Sequence, residues 1–174
     1  MKNNSTLQAI LDRSSIRGYM DTPLTEEEIA TLKAAVLAAP TGMDKQAQRF
    51  LFITNKALIA DIETTVIDSM KAQNAEVLLE RMASRDYKVI YDAPLFVIVA
   101  SDETNDGADT DAGIACQTLA IAAKSMGLDS VILGIPRMAF AFDKTLGERT
   151  KMPKGYRYGL GIAIGHRAMD KPPH

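Results

Sequence analysis

The 174-residue sequence has no tryptophan, one cysteine, two histidines and few aromatics of any kind, and neither sign of charge dominates it. Each scarcity excludes something. A single Cys116 cannot close a disulfide within the chain, and the opening MKNNSTLQAI has too short an apolar run for the core of a secretion signal. Both point to a reducing cytoplasm. The longest apolar run, Ala93 to Ala100, is about half of the ~20 residues that a spanning helix needs, so no membrane segment is expected. With 20 Lys and Arg against 22 Asp and Glu, the chain lacks the overall basic footprint of a nucleic-acid binder. Two histidines without an H-E-x-x-H pattern, and no C-x-x-C, give no basis for zinc or thiol chemistry; Cys116 reads as a small core residue.

What is present is an ordinary globular composition, 47% hydrophobic and 24% charged. A chain of this mass can bury about 70% of its unfolded surface, which is core enough without disulfides. No repeat, low-complexity stretch or linker interrupts it, so residues 1–174 are expected to form one domain. Ser5 and Gln8 have capping-box spacing ahead of a helix over 6–13, and Thr25 with Glu28 repeats it ahead of a helix ending near Pro40. Apolar residues at helical spacing predict a helix through Ile59, Ile62, Val66 and Met70, then another, or its continuation, at Leu78, Leu79 and Met82. The stretch 111–126 is apolar nearly all round and rich in small residues, with Gly127 as its stop; a short helix is expected over 143–150. Gly113, Ala115, Ala120, Ala122 and Ala123 leave space that either intramolecular packing or a partner backbone would fill.

Strands are predicted at 48–54, 94–100, 130–135 and 158–165, and the second is apolar at both alternating sets of positions, so both its faces should be buried. Helices separating buried strands imply a mixed sheet covered on both faces, an α/β or α+β sandwich. Gly159, Gly161 and Gly165 do not fit G-x-G-x-x-G and fall inside a strand, so no Rossmann site is supported. The acidic run from Asp102 to Gly113 lacks the bidentate Glu of a calcium loop and reads as solvated. No G-x-S-x-G elbow places an activated serine.

Two segments remain. In RSSIR, Arg13 to Arg17, two guanidiniums flank two hydroxyls, the donors that a phosphomonoester needs to offset its desolvation. Alone, the segment also fits a solvated basic turn paired with Asp12 or Asp21. In APTGMDKQAQRF, Ala39 to Phe50, Thr41 and Asp44 offer polar side chains and Gly42 allows close backbone approach to a flat ligand, although a plain helix-to-strand connection reads the same way.

In order and spacing, RSSIRGYMDTP, APTGMDKQAQRF, DAPLFVIVASDE, DTDAGIACQTLAIAAKSMGLDSVILGI and MPKGYRYGLGIAIGH together resemble the nitroreductase-like FMN-dependent flavoproteins, across about residues 6–170. The resemblance implies an α+β sandwich with a central mixed, mostly antiparallel sheet flanked by helices, assembled as a homodimer with two FMN sites at its interface. It implies Arg13, Ser14 and Ser15 as phosphate and ribityl contacts and Arg17 beside the pyrimidine edge of the flavin. Thr41, Gly42, Met43 and Asp44 match the loop that reaches the flavin held by the other subunit. Gly134, after Ile132 and Leu133, matches the position whose N–H faces flavin N5.

No separate catalytic side chain is implied, because the flavin carries the chemistry. NADH or NADPH would reduce it in a ping-pong cycle, and a nitroaromatic, quinone or similar electron-poor small molecule would reoxidise it. A related dehalogenase or oxidase, and a flavin-binding protein with little turnover, are the alternatives. The sequence departs from the family pattern in four places: Asp44 replaces an Asn, Ala47-Gln48 replaces Pro-Trp, and Asp86 and Val89 fall where an Asn and a Lys are usual. The C-terminal phosphate-binding Arg or Lys is missing, leaving Lys171 or His174 as substitutes.

Overall fold

The computed structural model describes residues 4–173. Four strands, β1 (Arg49–Ile53), β2 (Leu95–Asp102), β3 (Asp129–Leu133) and β4 (Tyr156–Gly165), form one sheet in the order β1-β2-β4-β3. All three strand pairs are antiparallel, and the parallel contribution is a single bridge from Ser15 to Ser130. Around the sheet lie α1 (Ser5–Asp12), α2 (Glu26–Leu37), α3 (Lys56–Ala72), α4 (Glu76–Ala83), α5 (Ala108–Ser125), α6 (Arg137–Phe142) and α7 (Leu146–Arg149). This is the mostly antiparallel α+β sandwich that the sequence implied.

The two faces of β2 explain the layering. Phe96 and Ile98 pack with Ile62, Val66 and Met70 of α3, whereas Leu95, Val97 and Val99 pack with Leu32 and Val36 of α2 and with Ala115, Cys116 and Leu119 of α5. A strand apolar on both faces must be covered on both, and helices supply the cover. Burial pushes the Cys116 thiol up to about 12, so it behaves as a core residue. Gly161 is required for this packing: a Cβ there would run into the Tyr158 hydroxyl and lie 2.7 Å from the Phe96 ring. The glycines of GLGIAIG thus serve close side-chain packing within a strand. No helix among the described residues is long and apolar enough to cross a membrane.

Several expected boundaries move, each for a visible reason. Asn4, not Ser5, caps α1: its side chain accepts the Leu7 N–H at 2.9 Å, and Gln8 turns to Asp12 instead of closing a box. The Thr25–Glu28 box forms with both of its bonds. Helix α4 is separate from α3, because Asn74 at φ 51° breaks the turn. The helix expected over 143–150 shrinks to α7, after a turn in which Asp143 accepts both the N–H and the hydroxyl of Thr145, and α6 lies before it, outside the expected range. Strand β3 stops at Leu133, short of Ile135, because Tyr158 donates its buried hydroxyl to the Leu133 carbonyl at 2.7 Å and the chain turns at Gly134. The acidic run is only partly solvated: α5 begins inside it at Ala108, Asp109 pairs with Arg157 at 2.9 Å, and Asp111 is buried. Of the small residues on α5, Ala115, Ala120 and Ala123 are buried in this chain's own core and Ala122 packs against it, which leaves Gly113, beside the exposed Ile114, towards the open side.

The segment between α4 and β2 is stapled from below. Glu63 of α3, almost fully buried, accepts the Val89 N–H at 2.8 Å and the Ile90 N–H at 2.5 Å on one carboxylate oxygen. Beside it, Asp86, Tyr87, Tyr91 and Asp92 all hold positive φ, between 50° and 63°, which costs a non-glycine residue energy unless its surroundings enforce it. Burial, the largest influence, raises the Glu63 pKa despite the two amides. A carboxyl whose folded pKa lies above its unfolded value binds its proton more tightly in the fold. Its contribution is therefore complete below the unfolded pKa and is lost as pH rises through the folded one. Glu63→Gln, which keeps the accepting oxygen, should gain stability relative to wild type as pH rises from 4 to 7. Glu63→Ala should lose about 1–3 kcal/mol for each amide left unpaired. Urea denaturation across that pH range measures both.

Candidate functional site

The RSSIR segment leaves α1 as a turn clamped to the end of the sheet. Ile16 is fully buried, and its N–H donates to the Ser130 carbonyl at 3.1 Å. The Tyr19 hydroxyl, its pKa raised chiefly by burial, donates within reach of the Ile16 carbonyl at 2.9 Å and the Ala163 carbonyl at 3.3 Å. With Ile16 pinned inward, Arg13 is half-buried and Arg17 exposed to either side of it. Neither pairs with Asp12 or Asp21, as a plain basic turn would require: Asp12 accepts from Gln8, and Asp21 pairs with Lys56. Lys171 Nζ donates to the Ser15 carbonyl at 3.3 Å, which brings it to the motif, whereas His174 lies outside the described residues.

Arg17 faces a cavity of about 180 Å³ lined also by Ile132, Leu133, Gly134, Arg81, Arg85 and Tyr91. A second cavity of about 490 Å³ shares Arg17, Arg85 and Tyr91. Gly134 is exposed, and no acceptor among the described residues meets its N–H. The arginines that form ion pairs here are Arg137, Arg149, Arg157 and Arg167; Arg13, Arg17, Arg81 and Arg85 pair with no carboxylate among the described residues. The Ser14 hydroxyl is buried with no partner at all. A buried polar group without a partner is costly and in a native protein calls for an explanation. Among the described residues the Arg17 guanidinium reaches only the Ser15 carbonyl, at 3.5 Å, and that of Arg85 only the Tyr91 hydroxyl, at 2.9 Å. Cations without carboxylates beside an unpaired hydroxyl suit a ligand that is rich in acceptors and negatively charged. FMN, with a phosphate at one end and a pyrimidine-dione edge at the other, fits this donor set.

The second segment lies elsewhere. Thr41 precedes a 3-10 turn, Gly42–Asp44, in which Met43 and Asp44 both take φ 53° and Met43 is 86% exposed. The Thr41 hydroxyl accepts the Gln46 N–H at 3.0 Å, and Asp44 accepts the Gln46 side-chain amide. The Gly42 N–H is held at 3.0 Å by Asp111, in the first turn of α5. Ser15, by contrast, bridges to Ser130, whose neighbour Asp129 pairs at 3.0 Å with Lys124 in the last turn of α5. The run from Asp111 to Lys124 spans about 20 Å of helix. Within one chain, therefore, Arg13 to Arg17 meet Ile132, Leu133 and Gly134, while Thr41 to Asp44 stand at the other end of α5.

Sequence reasoning missed Arg81, Arg85 and Tyr91. Arg81 lies in the last turn of α4 and Arg85 two residues beyond the helix end, and nothing local indicates that both meet one cavity. The Asp111 link to Gly42 crosses 69 residues and left no signal.

Comparison with known proteins identifies the family and the fold. Residues 10–166 match the model of the Nitroreductase family. The chain is 30% identical over 189 residues to Protein DrgA of Synechocystis sp., covering 96% of this chain and 86% of that protein. It is 27% identical over 195 residues to the Bacillus subtilis protein named FMN reductase (NAD(P)H), covering 97% and 70%. The crystal structure of a nitroreductase with bound FMN from Desulfitobacterium hafniense superposes with a TM-score of 0.94 at 31% identity, covering 99% of this chain and 94% of that one. A match that runs through both the RSSIR turn and the last strand makes this chain a member of the Nitroreductase family.

Proposed function

We propose that the protein is an FMN-dependent oxidoreductase that uses NADH or NADPH to reduce nitroaromatics, quinones or similar electron-poor acceptors, acting as a cytoplasmic homodimer. The observation that carries this is the buried Ser14 hydroxyl without a partner, between Arg13 and Arg17, which have no carboxylate partner among the described residues, in a chain whose family includes FMN-bound structures. Bound FMN would supply the redox chemistry, hydride transfer from the nicotinamide to the acceptor.

The chain's own residues bind and tune. Arg13 and the Ser14 and Ser15 hydroxyls hold the phosphate and ribityl end, where the buried Ser14 hydroxyl gains the partner it lacks within the protein. Lys171, already at the Ser15 carbonyl, adds a second cation there. The Gly134 N–H would face N5, and Arg17 would stand at the pyrimidine edge, where a fixed positive charge would favour the reduced form. Ile132 and Leu133 carry Gly134 to that position.

Thr41 to Asp44 cover the flavin of the partner subunit. The exposed Met43 suits this role, as does α1, which packs on α5 and leaves Leu7, Ile10 and Leu11 (51% exposed) uncovered. An apolar helix face left to water in a soluble chain marks an interaction surface.

The purified protein should be yellow and release FMN, not FAD, on heating, and NADH or NADPH should bleach it anaerobically. Failure to bind added FMN overturns the reading. Arg13→Ala should weaken FMN binding by about 1.5–3 kcal/mol, the range for hydrogen bonds to charged groups, in a fluorescence titration; Arg17→Ala should chiefly slow flavin reduction in stopped flow. FMN at a hundredfold excess over Kd should stabilise the dimer by about 2.7 kcal/mol. Light scattering on dilution, with flavin fluorescence in parallel, tests the shared site: a monomer at micromolar concentration that keeps its FMN contradicts it.

A further inference from the structure

Arg85 is the cation of this cavity that the fold has immobilised. Its guanidinium donates to the Tyr91 hydroxyl at 2.9 Å and is half-buried, whereas Arg81 and Arg17 are exposed. Tyr91 is in turn fixed by its backbone. It sits at φ 63° directly after Ile90, whose N–H the buried Glu63 carboxylate holds. Strain in a non-glycine residue persists only where the surroundings over-determine it, and such strain concentrates at functional sites. The nearby acidic groups do not neutralise Arg85: Asp92 is engaged by Lys88 at 2.6 Å, and Asp86 is exposed and outside any ion pair seen here. A half-buried charge is also screened less by salt than an exposed one.

The geometry points to Arg85 as a second cation for the negative charge on reduced FMN, acting beside Arg17 in the cavity that reaches Gly134, with Tyr91 as its positioning residue. This rests on FMN occupying that cavity as proposed above. Reduction adds two electrons and one proton to neutral FMN ring atoms, leaving one net negative charge on the ring. A fixed guanidinium nearby therefore favours the reduced form over the oxidised one, and Arg85 acts through that difference more than through binding as such.

The test is a potential, measured by equilibrating the FMN-loaded protein with a reference dye during slow anaerobic reduction, beside titration of the apoprotein with oxidised FMN. Arg85→Gln should bind oxidised FMN within a few-fold of wild type but lose about tenfold more of its affinity for reduced FMN. For this two-electron couple, that lowers the midpoint potential by about 30 mV. Arg85→Lys should recover most of the loss. Tyr91→Phe, which keeps the ring and frees the guanidinium, should shift the potential in the same direction by less. An unchanged potential in Arg85→Gln, or equal losses for both flavin forms, overturns the assignment while leaving the proposed function standing. A wild-type protein that takes up no FMN overturns both.

Discussion

Because β2 is apolar on both of its faces, neither side of the sheet can be left to water, and the rest of the architecture follows from that requirement. Helices α2 and α5 cover one face, and α3 with α6 the other. Polar segments that must meet a ligand are thereby driven to the ends of the sandwich. The RSSIR turn is pinned at the Ser130 end by Ile16, and the Thr41 to Asp44 turn is pinned at the Asp111 end of α5. Long, fully packed elements set the distance between the two, which is why a single subunit brings together only half of the proposed site.

Charge is distributed with the same division of labour. Where it serves the fold, it is paired: buried Asp129 receives Arg167 at 2.7 Å and Lys124 at 3.0 Å, so a carboxylate that would be costly alone ties β3 to the end of α5 and to the segment after β4. Around the cavities it is not. Arg17, Arg81 and Arg85 line them and find no carboxylate among the described residues; nor does Arg13, beside which the Ser14 hydroxyl is buried unpaired. A buried hydroxyl without a partner detracts from stability; under the proposed function, bound FMN supplies that partner.

The Glu63 staple shows how the fold holds a costly backbone. One carboxylate oxygen accepting two adjacent amides fixes the segment in which Tyr91 and Asp92 stand in the left-handed region. That places the Tyr91 phenol against Arg85 at the rim of the cavity. Elsewhere, the Tyr158 hydroxyl holds the Leu133 carbonyl where β3 ends before Gly134, and Gly161 makes room for that phenol.

The sequence by itself determined the elements and their layering. The unbroken apolar run of β2, the Thr25–Glu28 capping box and the Gly127 stop at φ 80° are local signals, and local backbone chemistry carries them into the structure unchanged. RSSIR and the Thr41 to Asp44 turn were legible as donor-rich or permissive segments, because hydrogen-bonding capacity belongs to residue types. Their partners were not. Asp111 with Gly42, Tyr91 with Arg85, and Lys171 with Ser15 join residues whose separation in sequence has no bearing on their separation in space. Whether an arginine is paired, or a serine hydroxyl left alone, depends on what the rest of the chain brings within about 3 Å of it. Only the packed tertiary structure decides that, since the burial that removes competing water is itself a product of the whole fold.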